Sequence, residues 1–290
     1  MKKSRSLPTS ASARVPATSA NLGPGFDTMG VALKVYNTVT LRHDAKAKPL
    51  PGMIGETAAR FFAASGTKPF PVSGKIAGQV PPARGLGSSV TVRLGVAAAL
   101  NRLAGAPLDD DALLGLVVEL EGHPDNAVPA FHGGFAACAP GRYLRVAVKP
   151  RLKFVGLVPD FELETKKARA VLPKTVPLSD AIANLQYGAL IAAAFAQQDY
   201  EKLAGLFEDR WHQPFRAPLI PCWHAVQAAA VKGGALGFYL SGAGSTLMAP
   251  TLGDADALAR RLEAAARKAG VGAAAFVAVA DNEGLRLSAR

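Results

Sequence analysis

Strands and helices follow one another along the 290 residues without strict β-α alternation, which predicts an α+β fold in preference to a doubly wound sheet. The composition is that of a folded chain. Hydrophobic residues make up 49% and charged residues 19%, far from the apolar-poor, charge-dense balance that keeps a polymer unfolded. Apolar runs of about 18 residues do not occur, because Arg, Asn, Gly or Asp breaks even the alanine-rich stretches, so no membrane span is expected. A chain of this length can bury one large core, or two halves that share a cleft.

The elements are expected in the following order. Lys2, Lys3 and Arg5 precede a stretch rich in Ser, Pro and Thr, so residues 1–13 read as a disordered basic leader, and no apolar run follows to make a signal peptide. Residues 30–43 mix β-branched and aromatic residues with alternating polarity and predict a strand. A helix over 54–64 and a strand over 72–79 follow, and the strand runs into Pro81, Pro82 and a glycine-rich turn. Helical spacing then puts Val92, Val96, Ala99, Leu100 and Leu103 on one face. Asp109, Asp110 and Asp111 mark the start of the next helix, which carries Glu119 and Glu121 at its end. Pro124 is expected to force the chain out of helix there, leaving the following polar residues on a turn. Short strands are predicted over 135–138, 143–148 and 154–158, then helices over 179–196, 200–207 and 223–231. A strand over 236–240, a glycine turn over 241–245, a helix over 255–269 and a strand over 274–280 complete the reading.

Lys and Arg outnumber Asp and Glu by 33 to 22, a formal +11 that attracts anions, whether nucleic acid, acidic lipid or phosphorylated metabolites. Nucleic acid is not the expected partner, because neither a reading motif nor basic and aromatic residues interleaved on one face is found. The two cysteines, Cys138 and Cys222, cannot build a disulfide framework and have no C-x-x-C spacing for zinc, which suits a reducing, cytoplasmic setting.

The most informative segment is Pro82-Ala83-Arg84-Gly85-Leu86-Gly87-Ser88-Ser89-Val90, followed at once by the helical pattern. Glycines let the backbone approach an anion, and the N–H groups at a helix start carry partial positive charge, so a phosphate belongs there. The serine hydroxyls can add hard oxygen ligands for Mg²⁺. With no Lys after the second glycine and no third glycine, the segment is neither a Walker loop nor a Rossmann turn. Three further clusters accompany it: residues 17–27, small and polar around two glycines; residues 119–126, with two carboxylates, an imidazole and an Asp-Asn pair; and residues 240–246, a strand running into glycines. Ser89, His123 and Asp125 could be combined as a hydrolytic triad, but no G-x-S-x-G elbow supports it. His43, His132, His224, Trp211, Trp223 and Cys138 read as surface or packing residues.

Taken together, these clusters resemble the GHMP small-molecule kinases, and within that superfamily most closely the homoserine kinases. The family's P-x-x-x-G-L-G-S-S-A loop is similar to Pro82 through Ser89, with Val90 at its last position. The amino-terminal signature resembles Val15-Pro16-Ala17-Thr18-Ser19-Ala20-Asn21-Leu22-Gly23-Pro24-Gly25-Phe26-Asp27-Thr28-Met29-Gly30. The E-G-H-P-D-N segment stands unaltered from Glu121 to Asn126, and the carboxy-terminal glycine motif looks like Ser241-Gly242-Ala243-Gly244-Ser245-Thr246.

The resemblance implies a two-lobed fold, with a ribosomal-protein-S5-domain-2-like ATP-binding lobe over residues 14–150 and a ferredoxin-like lobe over 151–290. It implies ATP-dependent phosphorylation of the L-homoserine hydroxyl, a step towards threonine, with another small hydroxylated metabolite as the alternative acceptor. Pro82, Ala83, Arg84, Gly85, Leu86, Gly87, Ser88 and Ser89 are expected around ATP, and Ser89 and Glu119 at Mg²⁺, with Glu121 the competing acid. Asn21, Asp27, His123, Asp125, Asn126, Arg169 and Arg216 are expected around the amino-acid substrate, the arginines because guanidinium groups bind carboxylates in pairs of hydrogen bonds. Asn126 stands where many relatives carry an aspartate base. Catalysis is therefore expected to rest on positioning by Asn126, Glu119 and Ser89, with Mg²⁺ and helix-dipole stabilisation. A homodimer is expected from the resemblance as well.

Overall fold

The computed structural model describes residues 7–289. In chain order the elements are β1 (Ser10–Ala20), β2 (Met29–His43), α1 (Gly52–Ser65), β3 (Val72–Gly78), α2 (Ser88–Leu103), α3 (Asp110–Glu121), α4 (Pro124–His132), β4 (Phe135–Ala139), β5 (Arg142–Val146) and β6 (Lys153–Pro159). They continue as α5 (Thr165–Ala170), α6 (Leu178–Gln197), α7 (Gln213–Arg216), α8 (Trp223–Lys232), β7 (Tyr239–Leu240), β8 (Leu247–Thr251), α9 (Ala255–Lys268), β9 (Ala273–Val279) and β10 (Arg286–Ala289). One antiparallel sheet has the order β10-β1-β2-β4-β5 with β3 also on β2, and a second has the order β7-β8-β6-β9. The α+β class is borne out. None of the helices among the described residues is long and apolar enough to cross a membrane.

Three apolar cores hold these layers. Helices α1 to α4 cover one face of the first sheet through Val90, Leu94, Leu100 and Val117 packed on Ala13, Val15, Val39 and Leu41. Helices α8 and α9 cover the second sheet through Val226, Leu258 and Leu262 on Val155, Leu157 and Leu247. The third core lies where the sheets meet and takes Val31, Leu33, Phe135, Phe154, Phe195 and Tyr239. Strand β1 serves two of the cores because its register on β2 shifts between Pro16 and Ala17. A bulge of this kind re-aims a strand, and it is also where a residue without an N–H is tolerated inside a sheet.

Several expectations are corrected. Of the leader expected over 1–13, residues 1–6 lie outside the described residues. Ser10 already opens β1, and Ala11 and Ala13 are buried in the helical core. Pro124 starts a helix instead of forbidding one: it is the first residue of α4, where the missing N–H costs nothing, and His123 is the N-cap in extended conformation. Only a 3₁₀ turn, Tyr200–Leu203, stands where a helix was expected over 200–207. The strand expected over 236–240 shrinks to β7, while β8 and β10 are additional. Because β10 pairs with β1, through Ala11 with Ala289 to Arg14 with Arg286, the end of the chain belongs to the first sheet and not to the second lobe.

Candidate active site

A cleft of about 650 Å³ opens between the start of α2, the end of α3, the start of α4 and the turn after β7. A separate groove of about 730 Å³, along α1 and residues 47–72, is lined almost entirely by apolar groups and holds none of the charged residues described below.

The phosphate loop forms one wall. Gly87 caps α2 in the left-handed region, φ 65°, and supplies no side chain to the first-turn N–H groups, whose helix also has no acid in its first turn. The loop carbonyls are already occupied. Ala83 accepts from Leu163 N at 3.3 Å, Arg84 from Thr246 N at 3.2 Å, Gly85 from Ser241 Oγ at 2.7 Å and Leu86 from Thr18 N at 3.2 Å. Among the described residues, no protein acceptor takes the N–H groups from Gly85 to Val90, which is the condition for an anion to take them. Close approach dictates the glycines: a Cβ at Gly87 would lie 2.1 Å from Thr18 Oγ1, and one at Gly85 2.1 Å from the Ser241 carbonyl oxygen. Pro82, Ala83, Arg84, Ser88 and Ser89 line the cleft, while Leu86 is buried beneath the loop.

Behind the loop, Ser89 Oγ donates to Glu121 Oε2 at 2.8 Å, and Arg93 Nε lies 3.0 Å from Glu121 Oε1. Burial pushes the Glu121 carboxyl above the usual carboxylate range, against the pull of the Ser89 hydrogen bond and the Arg93 charge. Glu119 is therefore corrected as the acid of the cleft. Positions two apart on a helix point about 200° away from each other. With Glu121 inward, the Glu119 side chain is 65% exposed and pairs with Arg60.

The far wall comes from α4 and the turn after β1. Asn126 Oδ1 accepts from Thr18 Oγ1 at 2.7 Å, and its amide donates to Asp125 Oδ1 at 3.3 Å. The same Asp125 oxygen lies 2.6 Å from Nδ1 of His123. Burial pulls the His123 pKa down, but the Asp125 hydrogen bond and the charges of Asp125 and Asp27 outweigh it and raise it above 6.5. Asp27 sits at φ 54° with its N–H on Asn21 Oδ1 at 3.0 Å, while the Asn21 amide donates to the Gly242 carbonyl at 2.8 Å. Arg169 donates to both Asp27 oxygens, at 2.7 and 3.0 Å. Possible ligand atoms of Asp27, His123 and Asp125 lie within 4.8 Å of one another. Each of the three is already paired, Asp27 with Arg169 and His123 with Asp125.

Arg216 differs from Arg169. It is 1% exposed, and no carboxylate pairs with it among the described residues. Its Nε donates to Ala168 O at 2.9 Å and Nη1 to Gly242 O at 3.2 Å. Desolvation lowers its pKa to about 10, which still leaves it charged at neutral pH. Both guanidinium groups lie over the Phe26 ring, at 5.3 and 5.1 Å. The glycine motif joins the walls: Gly242 N donates to Ala20 O at 3.1 Å, Ser241 Oγ is 2.8 Å from Ser19 Oγ, and Ala243 and Gly244 line the cleft.

The structure thus brings together Asn21, Asp27, the loop from Pro82 to Ser89, Glu121, His123, Asp125, Asn126, Arg169, Arg216 and the 241–244 motif, and leaves Glu119 out. Thr18, Phe26, Arg93 and His212 were not assigned from sequence. Arg93 could have been found, since it lies four positions after Ser89 on one helix face.

Known proteins resemble the chain over most of its length. The family described as GHMP kinases N terminal domain matches residues 53–134, and that described as GHMP kinases C terminal matches residues 191–268. A homoserine kinase of Gloeobacter violaceus is 43% identical over 259 residues, covering 82% of this chain and 86% of that protein. A homoserine kinase of Clostridium botulinum is 40% identical over 249 residues, covering 81% and 84%. Among solved structures, a homoserine kinase from Cytophaga hutchinsonii superimposes with a TM-score of 0.90 at 25% identity, covering 99% of this chain and 100% of that one. A mevalonate kinase shares the fold, with a TM-score of 0.71 at 13% identity over 94% of this chain and 99% of its own.

Proposed function

The chain belongs to the homoserine kinases of the GHMP kinase superfamily, and from that membership we propose that it transfers the γ-phosphoryl group of ATP to the side-chain hydroxyl of L-homoserine. The products are ADP and O-phospho-L-homoserine, an intermediate on the way to threonine. One observation carries the choice of acceptor: a buried, charged Arg216, without a carboxylate partner among the described residues, stands in the cleft into which the bare N–H groups of α2 open. A buried cation calls for an anion, and the carboxylate of a free amino acid is the planar anion that a guanidinium binds best. Asp27 offers the matching charge for the ammonium group.

ATP phosphates are assigned to the N–H groups from Gly85 to Ser89. The hard-oxygen pair of Ser89 and Glu121 fits Mg²⁺, which favours such ligands. Bound there, the ion would neutralise phosphate charge. Asn126 cannot take a proton, and Asp125 is engaged by His123. Alignment and charge neutralisation carry the transfer: the hydroxyl oxygen bonds to phosphorus, the bond to ADP breaks, and the hydroxyl proton ends on a phosphate oxygen or solvent.

Coupled ADP release with L-homoserine, L-serine, mevalonate and shikimate tests the reading. L-Homoserine gives the highest kcat/KM; ADP release with another acceptor and none with L-homoserine would overturn it. The reading includes a cytoplasmic homodimer. Leu178, Ile182 and Leu185 form an exposed apolar stripe on α6, and sedimentation before and after charging that stripe checks the dimer.

A further inference from the structure

The hydrogen bonds of Arg216 include one that the chemistry above does not use. Its Nη1, besides reaching Gly242 O, lies 3.3 Å from Nδ1 of His212. His212 is fully buried and stacks on Phe26 with ring centroids 5.0 Å apart. Its Nε2 lies 2.9 Å from the carbonyl oxygen of Gly23, which can only accept, so Nε2 carries the proton. Nδ1 of a neutral ring is then a bare acceptor. Burial brings the His212 pKa down to about 4, with the charge of Arg216 acting in the same direction against the opposite pull of Asp209, so the ring is neutral at pH 7.

The ring has little freedom to turn. Asp209, itself buried, accepts the backbone N–H groups of Trp211, His212 and Gln213 at 2.9, 3.0 and 2.6 Å and the Asn184 amide at 2.6 Å. The backbone ahead of α7 is thereby pinned to α6. His212 in turn ties Arg216 to the turn that carries Asn21 and Asp27. Among the described residues the second terminal nitrogen of Arg216 has no hydrogen-bond partner, and Arg216 lines the cleft.

We infer that His212 is a positioning residue: the bare Nδ1 of its buried, Gly23-anchored ring holds the Arg216 guanidinium in register for the substrate carboxylate, and so sets affinity for the amino acid and not the rate of phosphoryl transfer. The inference rests on the proposed function for the identity of the carboxylate, and on geometry alone for the link between His212 and Arg216.

Two substitutions separate this role from packing. His212→Asn keeps an acceptor near the Nδ1 position and loses the reach to Gly23; His212→Gln keeps an amide near the Nε2 position and loses the acceptor. In steady-state assays of the full chain, His212→Gln raises KM for L-homoserine about tenfold or more, as losing a hydrogen bond to a charged group requires. Its kcat and its KM for ATP stay within about threefold of wild type. His212→Asn melts at a lower temperature yet keeps KM for L-homoserine within about threefold. Equal rises in KM for both variants, a rise only in His212→Asn, or no rise in either would overturn the inference. Nitrogen-15 NMR of the wild-type chain decides the geometry without any substrate. An unprotonated Nδ1 at pH 7 is the result expected, and a protonated Nδ1 defeats the inference. Absence of ADP release with L-homoserine in wild type would instead defeat the substrate assignment and leave the NMR result to decide the link.

Discussion

Arg169 closes on Asp27 through two parallel hydrogen bonds, at 2.7 and 3.0 Å, so one guanidinium and one carboxylate of the cleft neutralise each other across 142 positions of sequence. Each is exposed by about a third, 38% and 34% of the side chain. Partly solvated pairs of this kind contribute about 1 kcal/mol or less to stability. A zwitterion can replace the pair by giving its carboxylate to the arginines and its ammonium to Asp27. Asp27→Asn is expected to raise KM for L-homoserine about tenfold or more while changing stability by less than about 1 kcal/mol. Steady-state kinetics and urea denaturation measure the two; an unchanged KM would remove Asp27 from the substrate site.

Glu121 and Glu119 separate the metal reading from its alternative. Glu121→Gln should shift the Mg²⁺ concentration for half-maximal ADP release upward about tenfold to a hundredfold, and Glu119→Gln by less than about twofold. Titration of Mg²⁺ at saturating ATP makes the comparison, and the reverse ranking would return Glu119 to the site.

Asn126 is held from two sides, by Thr18 and Asp125. Asn126→Ala lowers the single-turnover rate about tenfold to a hundredfold through lost alignment. Asn126→Asp, which introduces a base, does not exceed wild type in the same quench-flow measurement. A faster aspartate variant would contradict transfer without a base.

His123 gives a pH dependence with a definite sign. Its folded pKa is raised, once the charge of Asp125 and Asp27 has overcome the lowering by burial. The stabilisation is fully present below the unfolded value, about 6.5, and is lost as pH rises through the folded value. The stability difference between wild type and His123→Gln is therefore larger at pH 6 than at pH 8. Urea unfolding at the two pH values tests it, and equal differences would show that the Asp125 pairing does not discriminate the charged ring.

Gly87 leaves no room for a side chain in the phosphate loop. A Cβ there would sit 2.1 Å from Thr18 Oγ1 on a backbone at φ 65°. Gly87→Ala costs about 1–3 kcal/mol of stability and weakens nucleotide binding, which melting curves with and without ATP measure together. A variant with the wild-type shift on adding ATP would show that the loop tolerates the bulk.

What was legible in the sequence follows from where the information lies. Apolar spacing located α2, and an acidic start ahead of apolar positions located α3, each of which presents one face to one core over several turns. Strand β1 was hidden for the opposite reason: it changes core at Pro16, so its alternation breaks midway, and its Ser, Thr and Pro content looks like loop. Pro124 misled because a proline reads as a breaker until the N-cap before it is known. In the site, residues carried by contiguous motifs came together as expected. The choice between Glu119 and Glu121 follows from the phase of α3: Glu121 lies four positions after buried Val117 and Glu119 four after exposed Gly115, so the apolar pattern of the helix already favours Glu121. The contact of His212 with Arg216 is four positions apart, but the anchor that fixes the His212 ring is the Gly23 carbonyl, 189 positions away.

The placement of β10 beside β1 also has a consequence for how the molecule comes into being. During synthesis the first sheet has its other strands long before residues 286–289 leave the ribosome, and until then the outer edge of β1 lies open from Ala11 to Arg14. The phosphate-loop half is therefore not a finished unit when the second sheet is being made. Each half completes the other, and the chain is expected to unfold as one cooperative body, giving a single calorimetric transition in which the two halves melt together.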